Sequence, residues 1–142
     1  MKSKSEIQGE EMKKFEEQTL TATKNMFEKY YYALDSSGLV LDIDLCWCNR
    51  GDKVPSYTRL EYSETYMCFL EIIVREKGSS QYDLDNESVC NIFPISQCSR
   101  SLWRLGIKFS KVPHKHYNKF IEKARKVIER VIMKDIMLSL KN

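Results

Sequence analysis

The sequence predicts a two-layer α+β fold: a long N-terminal helix, a mainly antiparallel sheet of four or five strands, and a long C-terminal helix. Three observations carry this. Apolar residues recur three or four apart near both ends of the chain, the period of a helix face. Between those ends, several segments alternate apolar and polar, the period of a strand. The links between these segments are short, which favours antiparallel neighbours, because a parallel pair needs a long crossover. At 142 residues the chain fits one domain with one core. The expected organisation is a flexible stretch over residues 1–9 and a single α+β domain over residues 10–142.

The first helix is expected from about Glu10 to Leu34. Met12, Phe15, Thr19, Ala22, Met26 and Ala33 lie on one stripe, and Leu20, Phe27, Tyr31 and Leu34 on an adjacent one. Its first half is narrow-faced and rich in Lys and Glu, so it should be mostly solvated. The narrow seam also offers a coiled-coil type of homodimer contact. Asp35-Ser36-Ser37-Gly38 ends the helix, since glycine tolerates the left-handed conformation common there.

Leu39 to Cys48 alternates cleanly, with Leu39, Leu41, Ile43, Leu45 and Trp47 on one face and Asp42, Asp44, Cys46 and Cys48 on the other. It reads as a half-buried strand. Asn49-Arg50-Gly51-Asp52 is a turn, and its Arg-Gly-Asp is turn chemistry rather than an adhesion signal. Thr58 to Tyr62 is expected as a short strand. Thr65 to Arg75 is the strongest strand, apolar on both faces through Tyr66, Cys68, Leu70, Ile72 and Val74, then Met67, Phe69 and Ile73. Tyr82 to Ile92 reads ambiguously, and Pro94 is expected to confine its part of the chain to an edge or a loop. Ser101 to Phe109 alternates again, with Trp103, Leu105, Ile107 and Phe109 inward and Arg104 and Lys108 outward.

Pro113 suits a helix start, and the segment to Leu140 is the most clearly patterned of the chain. Tyr117, Phe120, Ile121, Ala124, Val127, Ile128, Val131 and Leu138 form an apolar stripe. Lys115, Lys119, Lys123, Lys126, Arg130 and Lys134 form a cationic ridge beside it. Charge is uneven along the chain. Residues 1–34 are neutral, residues 35–107 carry −4, and residues 108–142 carry +7. The C-terminal segment is therefore a positive pole that favours an anionic partner.

The motifs argue against most catalysis. Cys46 and Cys48 with His114 and His116 would make four zinc ligands, but neither pair has the usual knuckle spacing, and buried thiols with a solvated His pair explain them. Asp42, Asp44, Glu61 and Glu71 would make a divalent-cation cluster for phosphodiester hydrolysis, yet no strand carries the Asp-x-Lys or Glu-x-Lys of one common nuclease core. There is no Gly-rich phosphate loop, no His-Glu-x-x-His and no Gly-x-Ser-x-Gly. No cofactor and no metal are expected, and the protein is read as non-enzymatic. Asn86-Glu87-Ser88 fits a glycosylation pattern that matters only on export. The polar N-terminus, the lack of a run of about 18 apolar residues and an odd count of five Cys point to a cytoplasmic protein with reduced thiols and no membrane span.

The reading that remains is a protein-binding module of inhibitor, immunity-like or adaptor type. Its expected partner is a protein with an acidic surface. The binding residues are Lys119, Lys123, Lys126, Arg130 and Lys134, extended by Arg104 and Lys108 on the preceding strand. Tyr30 and Tyr32 join them, because three consecutive tyrosines span most of a helix circumference and exposed tyrosine suits interfaces. The alternative is a nucleic-acid-binding protein using the same ridge to neutralise phosphates.

Overall fold

The computed structural model describes residues 4–78, 89–100 and 107–141. The elements are α1 (Lys4–Ser36), β1 (Leu39–Asn49), β2 (Tyr66–Glu76), β3 (Val89–Arg100), β4 (Ile107–Lys111) and α2 (His114–Lys141). The strands form one antiparallel sheet in the order β1-β2-β3-β4. Both helices lie on one face of it, giving the α+β layout that the periodicities predict.

α1 begins at Lys4, ahead of the expected start near Glu10. Its first half is mostly exposed, as its composition predicts, but two positions turn inward. Met12 and Glu16 are fully buried, and Tyr62 lies against Gly9, where an added Cβ would sit 3.7 Å from its ring. The residues between β1 and β2 fold over this half of the helix. The narrow seam that suggested a homodimer is thus filled at Met12 by the chain itself. The helix ends as expected: Ser37 and Gly38 donate to the carbonyls of Leu34 and Asp35, and Gly38 takes a φ of 78°.

The β1–β2 register pairs Leu39 with Glu76 and Asn49 with Tyr66. It places Leu41, Ile43, Leu45 and Trp47 on the helix side with Tyr66, Cys68, Leu70, Ile72 and Val74. Asp42, Asp44 and Cys46 share the other side with Ile73, Glu71 and Phe69. The short strand expected at Thr58–Tyr62 does not form. Only Ser56 bridges to β1, exchanging two backbone bonds of 2.7 Å with Trp47. The loop is directed by its side-chain anchors instead: Tyr57 goes to one sheet face, and Arg59, Leu60 and Tyr62 to the other.

Pro94 does not sit at an edge, because β3 lies between β2 and β4. The register explains how an inner strand tolerates it. Phe69 pairs with Pro94 while Cys68 pairs with Ser96, so Ile95 is an extra residue in a bulge. The bulge resets the alternation. Ile95, Ser96 and Cys98 are all buried, and Ser96 faces α1. The strand expected from Ser101 is described from Ile107 onward, so the expectations for Trp103, Arg104 and Leu105 fall outside the described residues, as does the ambiguous stretch 79–88.

α1 and α2 run side by side in the same direction. The hydroxyls of Thr23 and Tyr117 bond at 2.6 Å, and Tyr30 donates to Glu129 at 2.6 Å further along both helices. α2 is fixed to the sheet by Phe120 stacked on Phe93 at 4.8 Å and by buried Ile121, Ala124 and Ile128. Leu138, expected on this inner stripe, is 53% exposed. The stripe's spacing leads from Val131 to Asp135, a residue type rarely buried, so the inward pattern stops there.

Candidate functional site

Two groups of residues concentrate the polar chemistry: a buried carboxylate under α1 and the outer side of α2. The buried one is Glu16. Tracing the buried positions Leu34, Tyr30, Phe27 and Thr23 back along α1 in steps of three and four leads to Leu20, then Glu16, then Met12. Glu16 therefore points straight into the core. A carboxylate survives there only if its lone pairs are taken up. Tyr66 Oη donates to both carboxylate oxygens at 2.8 and 2.7 Å, and Ser96 Oγ donates to Oε2 at 2.7 Å. Arg59 forms an ion pair at 2.6 Å. The indole of Trp47 donates to Tyr66 Oη at 2.9 Å, closing the network. The Arg59 guanidinium also lies over the rings of Trp47 and Tyr66. Burial, then the bond to Glu16, pushes the Tyr66 hydroxyl well above its ordinary value, which keeps it a donor. Burial likewise raises the Cys68 thiol beside it. A cleft of about 390 Å³ opens next to Arg59 and Tyr66, but the Glu16 carboxylate is already met by Tyr66, Ser96 and Arg59, and at 3.4 Å by the Trp47 indole. Its chemistry is to pin the 50–65 loop onto the sheet.

The outer sheet face holds the other carboxylates. Asp44 pairs across the strands with Glu71, and Asp42 sits two residues before Asp44. Burial, then the Asp42 charge, raises Asp44, while Lys24 opposes the shift. Burial also raises Glu71, and the nearby Asp44 and Asp42 add to this. Tyr57, which donates to both Glu71 oxygens at 2.7 and 2.9 Å, pulls the other way. Arg75 pairs with Asp42. Glu61 lies exposed in the loop. Among the described residues, no three His, Cys, Asp or Glu side chains are placed to hold a metal ion. The four ligands considered for zinc are separated. Cys46 and Cys48 lie on the sheet face away from the helices, while His114 and His116 are exposed on the first turn of α2.

The structure distributes the sequence-derived binding residues unevenly. Lys119, Lys123, Lys126, Arg130 and Lys134 are all exposed along α2, and among the described residues none is ion-paired to a carboxylate. Two acids of α2 are used elsewhere: Glu122 holds Arg125 at 2.8 Å, and Glu129 accepts from Tyr30. Lys108 lies in β4, while Arg104 falls outside the described residues. Tyr30 is not presented to a partner. It is buried between the helices, and burial with the Glu129 bond pushes its hydroxyl up to about 12. Tyr32, two residues on, is 81% exposed. Sequence reasoning missed a third feature, the exposed apolar end of α2, formed by Met133, Ile136, Met137 and Leu140. The signal was present: these four repeat at helical spacing on a side different from the inner stripe.

Among the described residues, no helix is long and apolar enough to cross a membrane. Compared with protein-family models, with curated proteins and with solved structures, the chain shows no match.

Proposed function

We propose that the chain is a non-enzymatic protein-binding module, of inhibitor, immunity-like or adaptor type, that recognises an acidic partner surface through the outer side of α2. One observation carries this reading: Lys119, Lys123, Lys126, Arg130 and Lys134 project from one helix with no described carboxylate of the chain to neutralise them. Holding these like charges on one rod costs stability. An acidic partner surface would offset that cost and steer encounter. The carboxylates that a hydrolase would use are engaged internally: Glu16 by Tyr66, Ser96 and Arg59, Asp42 by Arg75, and Glu71 by Tyr57. A reducing, cytoplasmic setting goes with this reading, supported by the free thiols of Cys46, Cys48, Cys68 and Cys98.

A second reading, nucleic-acid binding, is favoured by the same ridge, since lysines along a rod neutralise phosphates. It accounts less well for the apolar residues in line with the ridge, and no aromatic side chain interleaves the lysines for base stacking. Capture from lysate with and without nuclease separates the two. Under the first reading capture survives nuclease and is lost in a Lys123→Glu, Lys126→Glu, Arg130→Glu variant. Loss on nuclease treatment, with a steep decline as salt rises, would replace it with the second.

A further inference from the structure

α2 carries two apolar stripes on different sides. The first, Tyr117, Ile121, Ala124 and Ile128, is buried on the chain's own sheet. The second starts where the first runs out. Met133, Ile136, Met137 and Leu140 succeed one another at i, i+3, i+4 and i+7, and Leu140 is 81% exposed. At about 100° per residue this stripe is turned well away from the first and falls roughly in line with Lys119, Lys126 and Arg130. Cations and apolar anchors therefore share one side of one rod, in tandem along its axis, and the two acids that fall on the same side, Glu122 and Glu129, are engaged by Arg125 and Tyr30.

We propose that this side of α2 docks as a helix in the groove of a partner protein. The groove's apolar trough takes Met133, Ile136, Met137 and Leu140, and its rim sets carboxylates against Lys119, Lys126 and Arg130. The inference rests on the protein-binding reading above and names the partner's chemistry. Anchors at these four spacings are the pattern of a helix seated in an apolar groove, and unbranched methionines adapt to an irregular trough. Charge complementarity selects the occupant. A second copy pairing through the same side would bring more cations in place of the carboxylates that the ridge calls for. A nucleic acid would satisfy the ammonium groups and leave four apolar side chains beside phosphates. A flat anionic bilayer would take the lysines, but the anchor lacks the Trp, Tyr or Phe that seats interfacial helices.

The test is photo-cross-linking of the full chain carrying benzoylphenylalanine at position 137 or at position 126, in lysate of cells that express it, with adducts mapped by mass spectrometry. The expected result is the same protein trapped from both positions. Its contact with position 126 should fall in an Asp/Glu-rich segment and its contact with position 137 in an apolar one. Met137→Asp should lower the yield from position 126 by about tenfold or more. Because Met137 is exposed, the same substitution should lower the thermal midpoint by no more than a few degrees, the effect of an acid in the last helical turn. A protein adduct from position 126 with none from 137, and no effect of Met137→Asp, overturns the groove and leaves the protein-binding reading standing. Adducts only with the chain itself, with lipid or with nucleic acid, or none from either position, overturn both.

Discussion

The Tyr66 hydroxyl donates to both oxygens of Glu16, at 2.8 and 2.7 Å, joining two residues fifty positions apart inside the core. Around this bond the loop, β1, β2, β3 and α1 meet, through Arg59, Trp47, Tyr66, Ser96 and Glu16. Removing the acceptor strands every donor at once. Glu16→Ala should therefore destabilise the fold by roughly 3–5 kcal/mol, the cost of breaking a buried pair from one side. Arg59→Ala should cost less, because its side chain is 28% exposed and water can replace part of its role. Urea unfolding of both variants checks the order. A Glu16 variant as stable as the wild type would show that the network does not hold the loop.

The bulge in β3 supplies the second prediction. Ser96 lies opposite Cys68 and reaches Glu16, and Ile95 is an extra residue opposite the Cys68–Phe69 step. Deleting Ile95 leaves Phe69 opposite Pro94 and Cys68 opposite Ser96 in a regular ladder, so Ser96 and Cys98 stay on the helix side and the buried Ile95 side chain is lost. The expected result is a protein that still folds, destabilised by roughly 2–5 kcal/mol through the cavity that Ile95 leaves. Ser96→Ala, which keeps the register and loses one hydrogen bond, should cost only about 1–3 kcal/mol. If the deletion abolishes cooperative folding, the pairing of Ser96 with Cys68 does not survive without the bulge.

How much of this is readable in the sequence depends on which physics dominates at each element. β1, β2 and α2 are legible because one periodic pattern decides each of them. The first half of α1 is mostly exposed, as Lys and Glu predict, but Glu16 looks like any other solvated acid until Tyr66, Ser96 and Arg59 arrive from three distant segments. Pro94 points to an edge because a proline removes a ladder donor, and only the pairing of β2 with β3 shows the bulge that accommodates it. The cationic ridge can be read directly, since charge and spacing lie on one local helix. Tyr30 and Tyr32 cannot be told apart by sequence, because their fates turn on where α2 packs. The second apolar stripe is hidden because Leu138 fits the spacing of the first and draws the end of the helix inward on paper.

The outer face leads to a stabilising change. Glu71 is buried beside Asp44 and Asp42, and its carboxyl is held above the usual range by burial first. A raised carboxylate is penalised when ionised, so the penalty is present at neutral pH and disappears as pH falls and Glu71 takes up its proton. Glu71→Gln keeps an oxygen for the Tyr57 hydroxyl and removes the charge. It should be more stable than the wild type at pH 7, with the gap closing in acid. Denaturation midpoints at a series of pH values measure this. A destabilised variant at pH 7 would mean that the two bonds from Tyr57 outweigh the burial cost.

At the alkaline end the sign is the same. Tyr30 is raised from 10.0 to about 12 by burial and by its bond to Glu129. A group raised on folding contributes stability below its unfolded pKa and loses it as pH climbs through the folded one. Stability should thus decline between about pH 10 and 12 as the unfolded chain ionises first. Tyr62, Tyr66 and Tyr117 are raised as well and add to the slope. Tyr30→Phe should make the decline shallower, as read by chemical denaturation across that range. An unchanged slope would remove the Tyr30–Glu129 contact from the account.

The start of α2 tests whether its charge is kept for binding at a cost to stability. Helix amides at an N-terminus favour negative charge, yet the first turn of α2 has no acid and carries Lys115 between His114 and His116. Lys115→Glu reverses that adverse placement on an exposed side chain. It should raise stability by about 0.3–1 kcal/mol at low salt, with the gain shrinking as salt screens the helix end. If the outer side of α2 meets an acidic partner, the same variant should slow association and leave dissociation nearly unchanged, the signature of a rim charge. Stability is read from thermal midpoints at two salt concentrations, and the rates from surface binding to the partner trapped at position 126. A variant that is both more stable and faster to bind would place the partner's carboxylates away from this end of the helix.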